Sequence, residues 1–203
     1  MLVLCLGFSW GGVWADTEAG VLRQGAIADF DRVIAINPKA ADAYLQRGIA
    51  YERLRQWDKA IEDYNRVLEL RPQDAYAYNN LGNAHAGKGE WDAALLYYQR
   101  ATELDPKLAI SQVNVALALY QLGREGEAVT RVRNLARKYP YWAEARAALT
   151  VMLWQQGKRG EAESNWVAVL GLDQRYADLE WVSEVRRWCP RLVKELAAFL
   201  QLQ

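Results

Sequence analysis

The chain holds a single histidine, His85, and only two cysteines, Cys5 and Cys189. Zinc is held by three or four closely spaced cysteine, histidine or carboxylate ligands, and two cysteines and a histidine scattered this widely do not supply such a site. Nothing around either cysteine pairs it with a base, so a cysteine nucleophile is not expected. Charge of one sign is also missing: 25 basic residues face 25 acidic ones. A protein that grips nucleic acid carries a basic surplus or stripe, so no nucleic-acid partner is predicted. No glycine-rich phosphate loop, paired-carboxylate site or nucleophile motif stands out. Acidic neighbours such as Glu62 and Asp63 sit at helix-surface spacing and read as a solvated face. No convergent chemistry remains from which to build an enzyme. The expectation is a protein without catalytic residues, cofactor or metal.

What the chain has is an ordinary globular mix, 52% apolar and 25% charged, which is enough to form a buried core. Its opening stretch, MLVLCLGFSWGGVWA, is uncharged over residues 1–15. That is short of the ~20 residues a membrane-spanning helix needs. Leu2 to Phe8 is apolar, and Val13-Trp14-Ala15 offers a small-x-small end before Asp16. Residues 1–15 therefore read as a signal peptide cut after Ala15, although the usual basic start is missing. The other reading is an uncleaved apolar segment packed on the fold. Cys5 follows the outline of a lipidation box, but Leu4 stands where a small residue belongs. If Ala15 is the cut site, only Cys189 remains and no intrachain disulfide can form.

The strongest feature is a period. Pro38, Pro72, Pro106 and Pro140 stand 34 residues apart, and they are four of the five prolines. Ala26, Ala60, Ala94, Ala128 and Ala162 keep the same step, each followed four residues later by Phe30, Tyr64, Tyr98, Val132 and Trp166. Gly48 and Gly82 recur, then give way to Ala116 and Thr150. A fixed period of this length marks stacked supersecondary units.

The pattern resembles the tetratricopeptide repeat, with its W-x2-L-G-x2-Y, A-x3-F and terminal proline over 34 residues. In one unit Tyr78, Leu81, Gly82, His85, Ala94, Tyr98, Ala101 and Pro106 fall on signature positions. The resemblance implies an all-α, right-handed solenoid of antiparallel helix pairs. Four repeats are read at 41–74, 75–108, 109–142 and 143–176. Residues 16–40 form a degenerate leading repeat that keeps its second helix, and 177–203 form C-terminal capping helices. A helix is predicted over about 177–188, then a break at Pro190 and a last helix to about Leu200. The small residues at the eighth and twentieth positions allow close helix crossing, where a bulkier side chain would overpack at about 1–3 kcal/mol. Gly89, Gly123 and Gly157 fall between paired helices, where a left-handed backbone suits glycine. His85 takes an aromatic position inside the packed face, with no carboxylate or cysteine placed to work with it.

The resemblance further implies a protein or peptide partner held in the concave groove lined by first helices. The residues placed there are Gln46, Tyr76, Asn79, Asn80, Asn83, Asn114, Leu117, Tyr120 and Trp154. Gln46, Asn80 and Asn114 share the sixth position of successive repeats, and a carboxamide row can donate to and accept from a peptide main chain. Toward the C-terminus the groove turns apolar through Leu117, Tyr120, Val151, Trp154, Trp181 and Trp188. Two readings stay open there: binding hot spots, or a floor that the capping helix covers. Leu45, Ile49 and Ile110 stand where family members that clamp a chaperone's C-terminal carboxylate place lysine, asparagine or another basic residue, so that clamp is not expected. The tail EVRRWCPRL followed by LAAFL resembles cyanobacterial and plastid members. That implies an interaction scaffold, with assembly of a membrane or photosynthetic complex as one role. The compartment would be the periplasm or thylakoid lumen if 1–15 is removed. The alternative is a cytoplasmic protein, or one attached to the membrane only through an uncleaved 1–15. A second functional reading is a homo-oligomerisation module that pairs through the tryptophan-rich C-terminal face.

Overall fold

A computed structural model describes residues 25–202 of the chain. The expected signal peptide at 1–15, Cys5 and the start of the leading repeat lie outside the described residues. Among the described residues every regular element is helical. Residues 25–36 form α1. Four helix pairs then begin at a 34-residue step: α2 (Ala41–Arg53) with α3 (Trp57–Leu70), α4 (Ala75–Gly87) with α5 (Trp91–Leu104), α6 (Ala109–Gln121) with α7 (Glu125–Lys138), and α8 (Ala143–Gln155) with α9 (Arg159–Leu172). A 3₁₀ turn (Gln174–Ala177), α10 (Leu179–Glu184) and α11 (Pro190–Leu200) complete the chain. The chain divides into two compact units, Met1–Pro72 and Gln73–Gln203.

Close crossing explains the recurring small residues. Ala60, Ala94, Ala128 and Ala162 are all fully buried. In the first unit a methyl on Gly48 would lie 2.6 Å from the Tyr64 ring. In the second unit a methyl on Gly82 would lie 2.5 Å from the Tyr98 ring. Glycine is thus matched to tyrosine at these register positions. In the next repeat the same positions hold Ala116 and Val132, both fully buried. A larger residue at one position goes with a smaller one at the other, which keeps interior density constant.

The turn inside each pair is a left-handed step. Gly89, Gly123 and Gly157 have φ of 80°, 80° and 73°. Arg55 holds the same register and the same conformation, at φ 56°. For a residue with a Cβ that conformation costs about 1–2 kcal/mol. Arg55→Gly is expected to raise stability by about 0.5–1 kcal/mol, since glycine's greater freedom when unfolded offsets part of the gain. Urea unfolding checks this; a loss of stability would mean that the contacts of Arg55 outweigh its strain.

The turns between pairs carry a second recurring device. The carbonyl of Pro106 accepts from Gln112 Nε2 at 2.6 Å, and that of Pro140 from Arg146 Nε at 2.7 Å. Each donor stands six residues on, in the first turns of the next helix, and ties the turn to it. Where the fourth repeat has Gln174 in place of proline, the chain makes its 3₁₀ turn, with Asp173 Oδ1 accepting from the Arg175 amide at 3.1 Å.

The helix expected over 177–188 is much shorter. α10 ends at Glu184 because Arg187 turns left-handed at φ 56°, and a left-handed residue cannot continue the helix. Pro190 does not interrupt a helix but starts one, at the first position, where its missing N–H leaves no bond unmade.

Candidate binding face

In the second unit α4, α6 and α8 lie side by side and present one face. Across α4 and α6 this face is a network of carboxamides. Asn79 is buried, and its Oδ1 accepts from Ser111 Oγ at 2.9 Å and Asn114 Nδ2 at 3.0 Å. Asn83 Oδ1 accepts from Tyr98 OH at 3.0 Å and, more distantly, from Asn114 Nδ2 at 3.4 Å. Burial pushes the Tyr98 phenol well above its ordinary pKa, so it remains an O–H donor. Asn79 Nδ2 reaches Asn80 Oδ1 at 3.4 Å.

This geometry corrects part of the sequence reading. Asn79, Asn83 and Asn114 spend hydrogen bonds on one another and so fix the face, rather than standing as a free ladder. Asn80 is only partly covered, and Tyr76 is 59% exposed. Gln46 is exposed on α2 in the first unit.

The other half of the face is covered by the chain itself. α11 packs on α6 and α8. Its Leu192, Leu196 and Phe199 are fully buried, each worth about 1.5–3 kcal/mol of burial. Phe199 meets Trp154 edge-on at 5.0 Å and Trp166 at 5.3 Å between ring centroids. Tyr120 OH donates to Glu195, and Arg191 pairs with Glu125 and with Glu195, the latter at 3.1 Å. The Arg191 amide donates to Gln121 Oε1 at 3.1 Å. Leu117 and Tyr120 are therefore interior residues, 4% and 1% exposed, and Trp154 packs against the same core. These three do not line an open groove; a period-3.6 apolar pattern cannot say whether a helix of the same chain lies over it.

The tryptophan-rich surface offered for homo-oligomerisation is also folded inward. Trp188 is 4% exposed, and its indole donates to Glu144. Glu144, itself 1% exposed, also accepts from Tyr176 OH at 2.8 Å and pairs with Arg186. Sequence reasoning placed Glu144 at a groove position and missed this role. The available signal was the cluster of hydrogen-bonding aromatics, Tyr176, Trp181 and Trp188, in a segment with few other acceptors.

His85 departs from expectation as well. Its Nδ1 lies 2.6 Å from Glu90 Oε2, and its ring stacks on Tyr97 at 5.0 Å. The carboxylate comes from the turn after α4, five residues on, and joins the end of α4 to the start of α5. Glu90 titrates below the usual carboxylate range because of this contact and a second one from Lys88.

A family profile for the tetratricopeptide repeat matches residues 23–73 and 45–109. No curated protein matches the sequence. Among solved structures, MamA is similar at 23% identity and a TM-score of 0.65, covering 80% of this chain and 95% of that one. YrrB, described as a tetratricopeptide-repeat protein with an unusual peptide-binding site, matches at 20% identity and a TM-score of 0.61 over 86% of this chain and 93% of that one. MamA residues 41 to the end from Desulfovibrio magneticus RS-1 matches at 17% identity and a TM-score of 0.64, over 80% and 94%. At these identities the likeness shows the fold, that of all-α tetratricopeptide solenoids.

Proposed function

The chain belongs to the tetratricopeptide-repeat family of protein-interaction scaffolds, and we propose that it captures an extended segment of a partner protein on the uncovered α4 and α6 part of its first-helix face. One observation carries this reading. α11 leaves Tyr76 59% exposed and Asn80 partly so, beside a carboxamide network already fixed by its own hydrogen bonds. A preorganised polar face loses little freedom on binding. An exposed tyrosine adds a large contact at low entropic cost. YrrB, whose printed description includes a peptide-binding site, supports the class of ligand but not its identity.

The test is a library of random extended peptides panned on the full chain. Peptides that emerge should lose at least tenfold in affinity to Tyr76→Ala/Asn80→Ala, with the melting curve unchanged. Asn114→Ala should behave differently and cost about 1 kcal/mol of stability, because Asn79 and Asn83 each lose a donor. Undiminished binding by the double variant would refute the site.

Action as an assembly factor for a membrane or photosynthetic complex, after export to the periplasm or thylakoid lumen, is part of the same proposal. It rests on residues 1–15 and on the resemblance of the tail. N-terminal sequencing of the mature protein and crosslinking mass spectrometry in its native compartment test both.

A further inference from the structure

The covered half of the face is a separate site with a ligand already in it. α11 is amphipathic, with Leu192, Leu196 and Phe199 fully buried while Lys194 and Ala198 face outward. Its polar contacts are specific. Arg191 reaches Glu125 and donates to the backbone oxygen of Tyr120 at 3.1 Å, and Glu195 accepts from Tyr120 OH. The seat thus selects a helix reading Arg-Leu-x2-Glu-Leu-x2-Phe, with the phenylalanine held between two indole rings. The attachment of α11 is distinct from its seat. Glu144 holds the preceding segment through Tyr176, Trp188 and Arg186, so α11 can leave α6 and α8 while that anchor stays closed.

We infer that α11 is a resident, exchangeable ligand of this seat, and that the seat accepts in its place an amphipathic helix of a partner protein with the same residue pattern. A second copy of this chain fits less well. Residues 185–189 span at most about 17 Å when extended, and Trp188 within them is anchored to Glu144. Exchange between copies would therefore have to carry α10 along. Tethering gives α11 an effective concentration in the millimolar range, so a partner helix competes well only when α11 is weakened or pulled away. This inference goes beyond the reading of the open α4 and α6 surface and does not depend on it. Library peptides score that surface, and an α11 peptide scores this one.

Cys189 provides the reporter. It caps α11, is fully buried, and burial pushes its thiol up to about 12. On the full wild-type chain, alkylation at Cys189 is followed by peptide mass against urea. The expected opening is local, with a urea dependence well below that of global unfolding. An excess of a synthetic peptide of residues 190–202 should trap the open state and raise the labelling rate at least fivefold. A Phe199→Ala chain should label at least tenfold faster and bind the fluorescent peptide at least tenfold more tightly than wild type. The same peptide carrying Leu196→Asp should not bind. Labelling that follows only global unfolding would overturn the inference, as would a Phe199→Ala chain with no cooperative melt. A folded Phe199→Ala chain that ignores the peptide would also overturn it. Stable dimers of that chain by light scattering would replace it with exchange between copies.

Discussion

Glu144→Ala is expected to lower the stability of the folded chain by about 3–5 kcal/mol. The side chain is 1% exposed and is the acceptor for Tyr176 OH at 2.8 Å, for the Trp188 indole and for Arg186. Alanine removes the acceptor and leaves three donors behind, one of them a cation in a site made for an ion pair. An unmade buried hydrogen bond costs about 1–3 kcal/mol, and an unpaired buried charge costs more. The lower end of the range is favoured because Arg186 keeps 27% of its side chain in water and can turn toward solvent. Glu144→Gln retains an acceptor and should lose less than half as much. Urea unfolding of the two variants, compared by midpoint at constant slope, checks the order. A loss under about 1 kcal/mol for the alanine variant would show that the segment after α9 is not anchored through this carboxylate.

Leu81→Ala should cost about 2–5 kcal/mol. Leu81 is fully buried in α4, one residue before Gly82, whose absent side chain lets the Tyr98 ring approach. The tyrosine is held by its bond to Asn83 and cannot swing freely into the space a leucine vacates. The cavity therefore persists, and the larger part of the range applies. Leu96→Ala is the control: that side chain is 64% exposed, and truncation should stay within about 0.5 kcal/mol. Equal melting of both variants would mean that the helical register is misread.

The repeating part of the fold was legible because its physics is local and periodic. A proline every 34 residues marks where second helices end, and alanine at a fixed offset marks where helices touch. The glycine–tyrosine match at Gly48 with Tyr64 and Gly82 with Tyr98 is visible in the sequence as a conjunction of the smallest and a large residue. What was not legible depends on tertiary placement. α11 has the apolar period of any amphipathic helix, and that period is the same whether it closes the end of a stack or lies over first helices. Leu117, Tyr120 and Trp154 therefore looked like groove residues when they are floor. Glu144 carried no sign of burial, since glutamate on a helix is solvated by default. Arg55 was hidden for the opposite reason: its neighbours in register are glycines, and an arginine there gives no hint that it takes up their backbone conformation. The asparagines were recognised as hydrogen-bonding groups, but a sequence does not say whether a carboxamide faces a ligand or another carboxamide.

The account's central claim is that the first-helix face of the second unit is divided, open along α4 and closed by α11 along α6 and α8. Hydrogen–deuterium exchange of the full chain, alone and with the tightest peptide from the panned library, tests that division directly. The account predicts new protection over residues 76–87 and none over 144–155. Protection concentrated at 144–155, with 76–87 unchanged, would contradict it.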